Sequence, residues 1–90
     1  MTGRAEIDAT IVALLRRRAP GASICPSDVA RALTDVESEW RALMQPVRDA
    51  AATLARAGSV VVTQGEHVVD PADIDRGAIR LRRGPSFPED

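Results

Sequence analysis

Cys25-Pro26-Ser27-Asp28-Val29-Ala30-Arg31-Ala32-Leu33 sets the plan of this chain. Pro26 suits the first position of a helix, where its missing N–H costs no hydrogen bond and its ring fixes φ near the helical value. Val29, Ala30 and Leu33 then share one face at helical spacing, and Thr34 and Asp35 end the run. From Ser38 to Ala57 a second apolar stripe, Trp40, Leu43, Met44, Val47, Ala50, Ala51 and Leu54, keeps helical register across Pro46. Proline inside a helix costs about 3 kcal/mol but almost nothing in a first turn. The segment therefore predicts a short helix near 38–44 and a main helix near 46–57 that Pro46 begins.

Working outward, Gly58 is placed to let the chain leave the main helix through a left-handed conformation. Ser59-Val60-Val61-Val62-Thr63 and Glu66-His67-Val68-Val69 are β-branched runs about Gln64-Gly65, which predicts a two-stranded hairpin. Asp70-Pro71-Ala72-Asp73 reads as one capped helical turn, ending at Gly77. Over Ala78–Arg83, Ile79 and Leu81 alternate with Arg80 and Arg82, the pattern of a half-buried third strand with a basic outer face. Such a strand would protect one edge of the hairpin.

In the other direction, Ile7, Ile11, Leu14 and Leu15, widened by Val12, predict a helix over Arg4–Arg18. Glu6 and Asp8 near its start and Arg16, Arg17 and Arg18 at its end match the helix dipole. Pro20-Gly21 stops it, and Ala22-Ser23-Ile24 leaves room for a short strand or an extended link. Helix, turn, helix and hairpin in this order predict an α+β fold, a winged helix-turn-helix with three main helices, a small antiparallel β-hairpin wing and a third strand. One domain is expected over 1–83, with 84–90 a disordered tail. Trp40, Leu43, Val47, Leu54, Ile11, Leu15, Val29 and Leu33 are expected to form its core.

The composition fits one small soluble domain: 90 residues, 44% hydrophobic and 28% charged. Net charge is −1, so nucleic-acid binding would have to use a local patch and not the field of the whole molecule. A single cysteine forms no intramolecular disulfide and no Cys-rich zinc site. With no apolar run of membrane-spanning length and no leader pattern, the sequence predicts a cytoplasmic protein without membrane association.

Together, Ser23 to Leu33, Trp40-Arg41-Ala42-Leu43-Met44, Val47-Arg48, Leu54-Ala55-Arg56-Ala57-Gly58, Val62-Thr63-Gln64-Gly65, Val69-Asp70-Pro71 and Arg76 to Leu81 carry a resemblance. Over roughly residues 7–82 the chain resembles a small bacterial winged-helix-like family of unknown function. The resemblance implies the fold, and brings no activity, cofactor or site residue with it.

A DNA-binding winged helix lays the outer face of its main helix in the major groove and its wing on phosphates or the minor groove. Here that face is expected to present Gln45, Arg48, Asp49, Ala52, Thr53 and Arg56. Gln45 and Arg48 are types that read base edges, Thr53 can reach a phosphate, and Arg56, like Arg48, is weighed as a base reader against plain solvated surface. Asp49 opposes them, and the wing from Ser59 to Asp75 holds four acids and no arginine. Arg80 and Arg82, joined by Arg76 and Arg83, supply a basic run that would extend to Arg16–Arg18 if folding brings the two together.

The candidate nucleic-acid residues are thus Gln45, Arg48, Thr53, Arg56, Arg80 and Arg82, with weak, salt-sensitive binding to duplex DNA. The alternative is a protein-interaction module on the same scaffold. The wide stripe of the first helix also allows a homodimer. Cys25 precedes a helix N-terminus, a setting that activates thiols, but a small structural residue explains it better, because the only histidine, His67, lies in a strand. Asp70, Asp73 and Asp75 lack the spacing of a calcium loop and read as helix caps. No triad, carboxylate pair or metal set is present in the sequence pattern, so neither an enzyme nor a cofactor is expected.

Overall fold

The computed structural model describes residues 2–88. In chain order its elements are α1 (Arg4–Arg16), β1 (Ser23–Ile24), α2 (Pro26–Leu33), α3 (Glu37–Ala42), α4 (Met44–Arg56), β2 (Val60–Gln64), β3 (His67–Val68), a 3-10 turn (Pro71–Asp73) and β4 (Arg80–Arg83). The fold is α+β, with four α-helices packed against a four-stranded antiparallel sheet of order β1-β4-β2-β3.

Pro46 falls in the first turn of α4, two residues after Met44. The N–H groups of a first turn have no partner within the helix, so the proline removes nothing. Val47 N–H closes the first turn on Leu43 C=O at 2.9 Å. The expected division into a short helix and a main helix holds, with the break at Leu43, so that three main helices and the short one make four.

At the other end of α4, Gly58 takes φ +81°. Its N–H reaches Ala55 C=O at 3.0 Å and Ser59 N–H reaches Leu54 C=O at 2.9 Å, the paired bonds of a Schellman stop.

The expected hairpin and its third strand are both present, with the hairpin arm shorter than expected. β3 pairs only Thr63↔Val68 and Gln64↔His67, whereas β4 pairs β2 at four positions from Val60↔Arg83 to Thr63↔Arg80. β4 also takes β1 on its other side, through Ser23↔Arg82 and Ile24↔Leu81. The last strand is therefore central, and the extended link at Ser23-Ile24 is an edge strand.

Core side chains come from both layers. Ile7, Ile11 and Leu15 of α1, Val29 and Ala30 of α2, and Val47, Ala50 and Ala51 of α4 meet Ile24, Val60, Val62 and Leu81 of the sheet. Of the expected core, Ile11, Leu15, Val29 and Val47 are fully buried, while Leu33, Trp40, Leu43 and Leu54 are half-buried at its margin. Alternation places Leu81 inward and Arg80 and Arg82 outward, as the sequence pattern predicts.

Residues 84–88 do not project from the domain as the expected tail would. Gly84 N–H bonds to Ser59 C=O, Ser86 N–H to Gly58 C=O, and Phe87 is buried at 8% exposure. Apolar burial of this one aromatic ring holds the segment down. Glu89 and Asp90 lie outside the described residues.

Candidate functional site

The outer face of α4 is covered in part, at Arg48 and Ala52, by the chain between β2 and β4, while Gln45, Asp49, Thr53 and Arg56 stay exposed. Ile74, alone between Asp73 and Asp75, is buried at 5% exposure, and the segment on which it lies packs on α4. Ala52, expected on the exposed face, is consequently buried at 6%.

Polar contacts fix the same seam. Arg48 donates through Nη1 to Ile74 C=O at 2.6 Å and through Nη2 to Gly77 C=O at 3.1 Å. Gln45 donates to Asp49 at 2.9 Å and Asp75 at 3.0 Å. From β2, Gln64 Nε2 donates to Arg76 C=O at 2.7 Å and lies 2.6 Å from where a Cβ on Gly77 would stand. Gly77 has φ +77°, so both its backbone conformation and this approach favour glycine.

Thr53 remains exposed, its hydroxyl donating to Asp49 C=O at 3.3 Å and accepting from Arg4 at 3.4 Å. Arg56 is exposed, with no side-chain bond among the described residues. Of the four candidates on α4, two are therefore committed to the β2–β4 connection, and the acids Asp49 and Asp75 stand among them. The side chains do not form a continuous basic face.

A second arginine surface forms where the end of α1 meets β4. Arg83 turns its Nη2 to the carbonyls of Leu15, Arg16 and Arg18 at 3.1, 3.4 and 3.3 Å, at and just beyond the end of α1, where Leu15 C=O also accepts from Arg18 N–H. It thereby joins the two arginine runs that lie far apart in sequence. Its guanidinium also stacks 4.8 Å from the centre of the Phe87 ring.

On the outer face of the sheet, Arg80 donates through Nε to Ser23 Oγ at 2.7 Å and through Nη2 to Ser23 C=O at 3.0 Å. Arg82 lies opposite Ser23 and Val61 and makes no side-chain bond among the described residues. Arg16 reaches Pro88 C=O at 2.9 Å, and Arg17 and Arg18 are exposed.

One acid on which this surface acts is Asp28, in the first turn of α2. Burial works against its ionisation, but the Cys25 N–H at 2.9 Å, the Cys25 thiol and the guanidiniums of Arg18 and Arg80 together hold its carboxyl below the ordinary value.

A family model described as "Protein of unknown function (DUF3253)" matches residues 4–84, from the start of α1 to the residue after β4. The chain belongs to the DUF3253 family. No curated protein matches it.

The remaining polar residues of this DUF3253 domain have local roles. Cys25 is half-buried with Sγ 2.9 Å from Ser27 Oγ. It follows β1 at one edge of the sheet while His67 lies in β3 at the other, three strand spacings or roughly 14 Å away. Asp70 accepts from Ala72 N–H at 2.8 Å, as a cap, and Asp73 pairs with Arg76 at 3.6 Å.

No group of three metal-ligating side chains occurs among the described residues, and no helix among them is long and apolar enough to cross a membrane. Trp40 is half-buried between the guanidiniums of Arg31 at 4.5 Å and Arg41 at 4.9 Å.

Sequence reasoning missed Ile74 and Ser23 as organisers of these two surfaces. A single isoleucine within Asp73-Ile74-Asp75 has no periodicity to reveal it. The contact of Ser23 depends on cross-strand register, which two residues of strand do not announce.

Proposed function

We propose that this domain is a winged helix-turn-helix that binds nucleic acid through the arginine surface at the end of α1 and along β4. The strand order supports the architecture: the strand after the first helix pairs with the last strand, which pairs with the strand that leaves the main helix. In this reading α2 and α4 are the helix-turn-helix, and the β2–β4 connection is the wing.

The observation that carries the function is the joining of Arg16, Arg17 and Arg18 to Arg80, Arg82 and Arg83 by the Arg83 guanidinium. Half of the twelve arginines of a chain with net charge −1 are thus carried by the end of α1 and by β4, two segments that Arg83 ties together. Such a cluster neutralises phosphates and releases counterions, which makes binding salt-sensitive. The activity is non-catalytic and suits the cytoplasm.

Of the residues suggested by sequence, Arg82 keeps its place with no side-chain bond among the described residues, Arg80 keeps its place although it also bonds to Ser23, and Gln45 and Arg48 are turned onto the α4 seam. Binding is expected in the weak range typical of non-specific contacts, around 10⁻⁴–10⁻⁶ M at physiological salt. Titration of labelled nucleic acid at low salt, with the parent chain and Arg80→Ala plus Arg82→Ala, tests it. Absence of binding, or binding indifferent to the two arginines, rejects it.

A protein-interaction module is the second reading. It is favoured by Val36 and Val68, exposed at 51% and 67%. Failure of the nucleic-acid titration would leave it as the better account.

A further inference from the structure

Three elements meet around a hollow of about 320 Å³ beside α4. Arg4 comes from the start of α1, Asp49, Thr53 and Arg56 from the outer face of α4, and Asp75 from the β2–β4 connection, whose buried Ile74 lines the same space. The volume is at the small end of those that hold ligands.

Helical spacing sorts these side chains by charge. Asp49, Thr53 and Arg56 share one stripe of α4, and the acid and the arginine stand two turns apart, roughly 10 Å along the axis. Asp75 joins the acidic end, because Gln45 Nε2 donates to both Asp49 and Asp75 at 2.9 and 3.0 Å. Arg4 joins from the other side, reaching Thr53 Oγ1 at 3.4 Å in the turn that leads to Arg56.

The two ends do not neutralise each other. Among the described residues neither guanidinium lies within ion-pair distance of either carboxylate, and Arg56 makes no side-chain bond at all. The acids instead share a neutral amide, which brings two like charges together with no cation between them.

Two guanidiniums and two carboxylates leave the hollow without formal net charge. A phosphate or other simple anion would meet both acids there, and a simple cation would meet both arginines. Charge complementarity therefore selects a ligand with one group of each sign. We infer that the hollow binds a small zwitterion, a free amino acid whose ammonium faces Asp49 and Asp75 and whose carboxylate faces Arg4 and Arg56.

The donors and acceptors fit these roles. A guanidinium offers a carboxylate its paired N–H groups, and two carboxylates accept the several donors of an ammonium. All these contacts go to the amino and carboxylate groups, so amino acids with short side chains should bind alike. The site shares no residue with the arginine surface of α1 and β4 and does not depend on the nucleic-acid reading.

The test is a titration of the isotopically labelled full chain with L-alanine and L-serine, followed by amide NMR shifts. N-acetyl-L-alanine, which keeps only the carboxylate, and L-alaninamide, which keeps only the ammonium, are titrated beside them. The expected result is saturable shifts within 49–56 and 71–75 for both amino acids, in the millimolar range that suits exposed charge pairs. Either analogue should bind about tenfold more weakly or worse, having lost one set of charged contacts. Arg56→Gln and, separately, Asp75→Asn should each weaken L-alanine about tenfold while the rest of the spectrum stays as in the parent.

Absence of saturable shifts with the amino acids, an analogue that binds as tightly as they do, or indifference to both substitutions overturns the inference. A change across the whole spectrum of a variant would mark a disturbed fold, and the analogue series on the parent chain then decides alone.

Discussion

Arg48 and Arg82 are the same residue type on one small domain, yet their surroundings put them to opposite uses. Arg48 finds two carbonyls of an irregular segment within reach and is drawn onto them. Arg82 projects from a strand whose backbone groups pair with neighbours on both sides, and it faces solvent. An arginine's role here follows from whether unpaired backbone acceptors lie nearby. Residue type alone does not distinguish a structural clamp from a free charge.

The largest expected effect bears on the support of the open surface. Leu81 is fully buried beneath the Arg80–Arg82 row, so Leu81→Ala should cost ~2–5 kcal/mol in chemical denaturation. Leu54, only half-buried, should lose clearly less on the same change. Equal losses at the two sites would show that the sheet side of the core is not the tighter one.

Next comes the contrast itself. Arg48→Ala should destabilise by about 1.5–3 kcal/mol, since it removes a charged donor from two carbonyls, whereas Arg82→Ala should stay within about 0.5 kcal/mol of the parent. Proteolysis within 65–79 should accelerate in the first variant alone. A stability cost at Arg82 matching that at Arg48 would erase the distinction between clamp and free charge.

Asp28 gives a smaller effect with a defined pH dependence. Its carboxyl titrates below the ordinary value of 3.8 in the folded chain, so ionisation favours the folded state above that pH and the gain is lost as pH falls through the folded value. Asp28→Asn should therefore cost about 1 kcal/mol at neutral pH, through the helix-terminus hydrogen bond it weakens. The gap between variant and parent should close as pH falls below 3.8. A gap that persists in acid would assign the cost to packing.

The smallest effect is expected at Pro46. Because it occupies a first turn, Pro46→Ala should change stability by at most ~1 kcal/mol, acting on the unfolded chain. Stabilisation of ~2 kcal/mol or more would mean that α3 and α4 tend to fuse, moving the face that the β2–β4 connection covers.

How far the sequence disclosed these surfaces depends on the range of the interaction concerned. Local signals were readable: the helical stripes, the first-turn prolines, the Gly58 stop, and the alternation that turns Arg80 and Arg82 outward. The sequence also suggested that Arg16–Arg18 would extend the basic run if folding joined them, and Arg83 makes that junction.

What escaped was long-range coverage. Periodicity showed that one face of α4 is polar but not that Ile74 would cover part of it, because one apolar residue in a loop has no repeat. The same limit hid Phe87, an isolated ring among prolines and acids.

The central position of β4 has a consequence for the order in which the domain can assemble. Ser23 finds its partner only at Arg82, and Val60–Thr63 find most of theirs at Arg80–Arg83. In chain order the helices and both of these strands come before the strand that links them. Non-local pairing of this kind slows folding and leaves strand edges open in the meantime. The sheet must form late, in a step that coincides with the arrival of the arginines it carries.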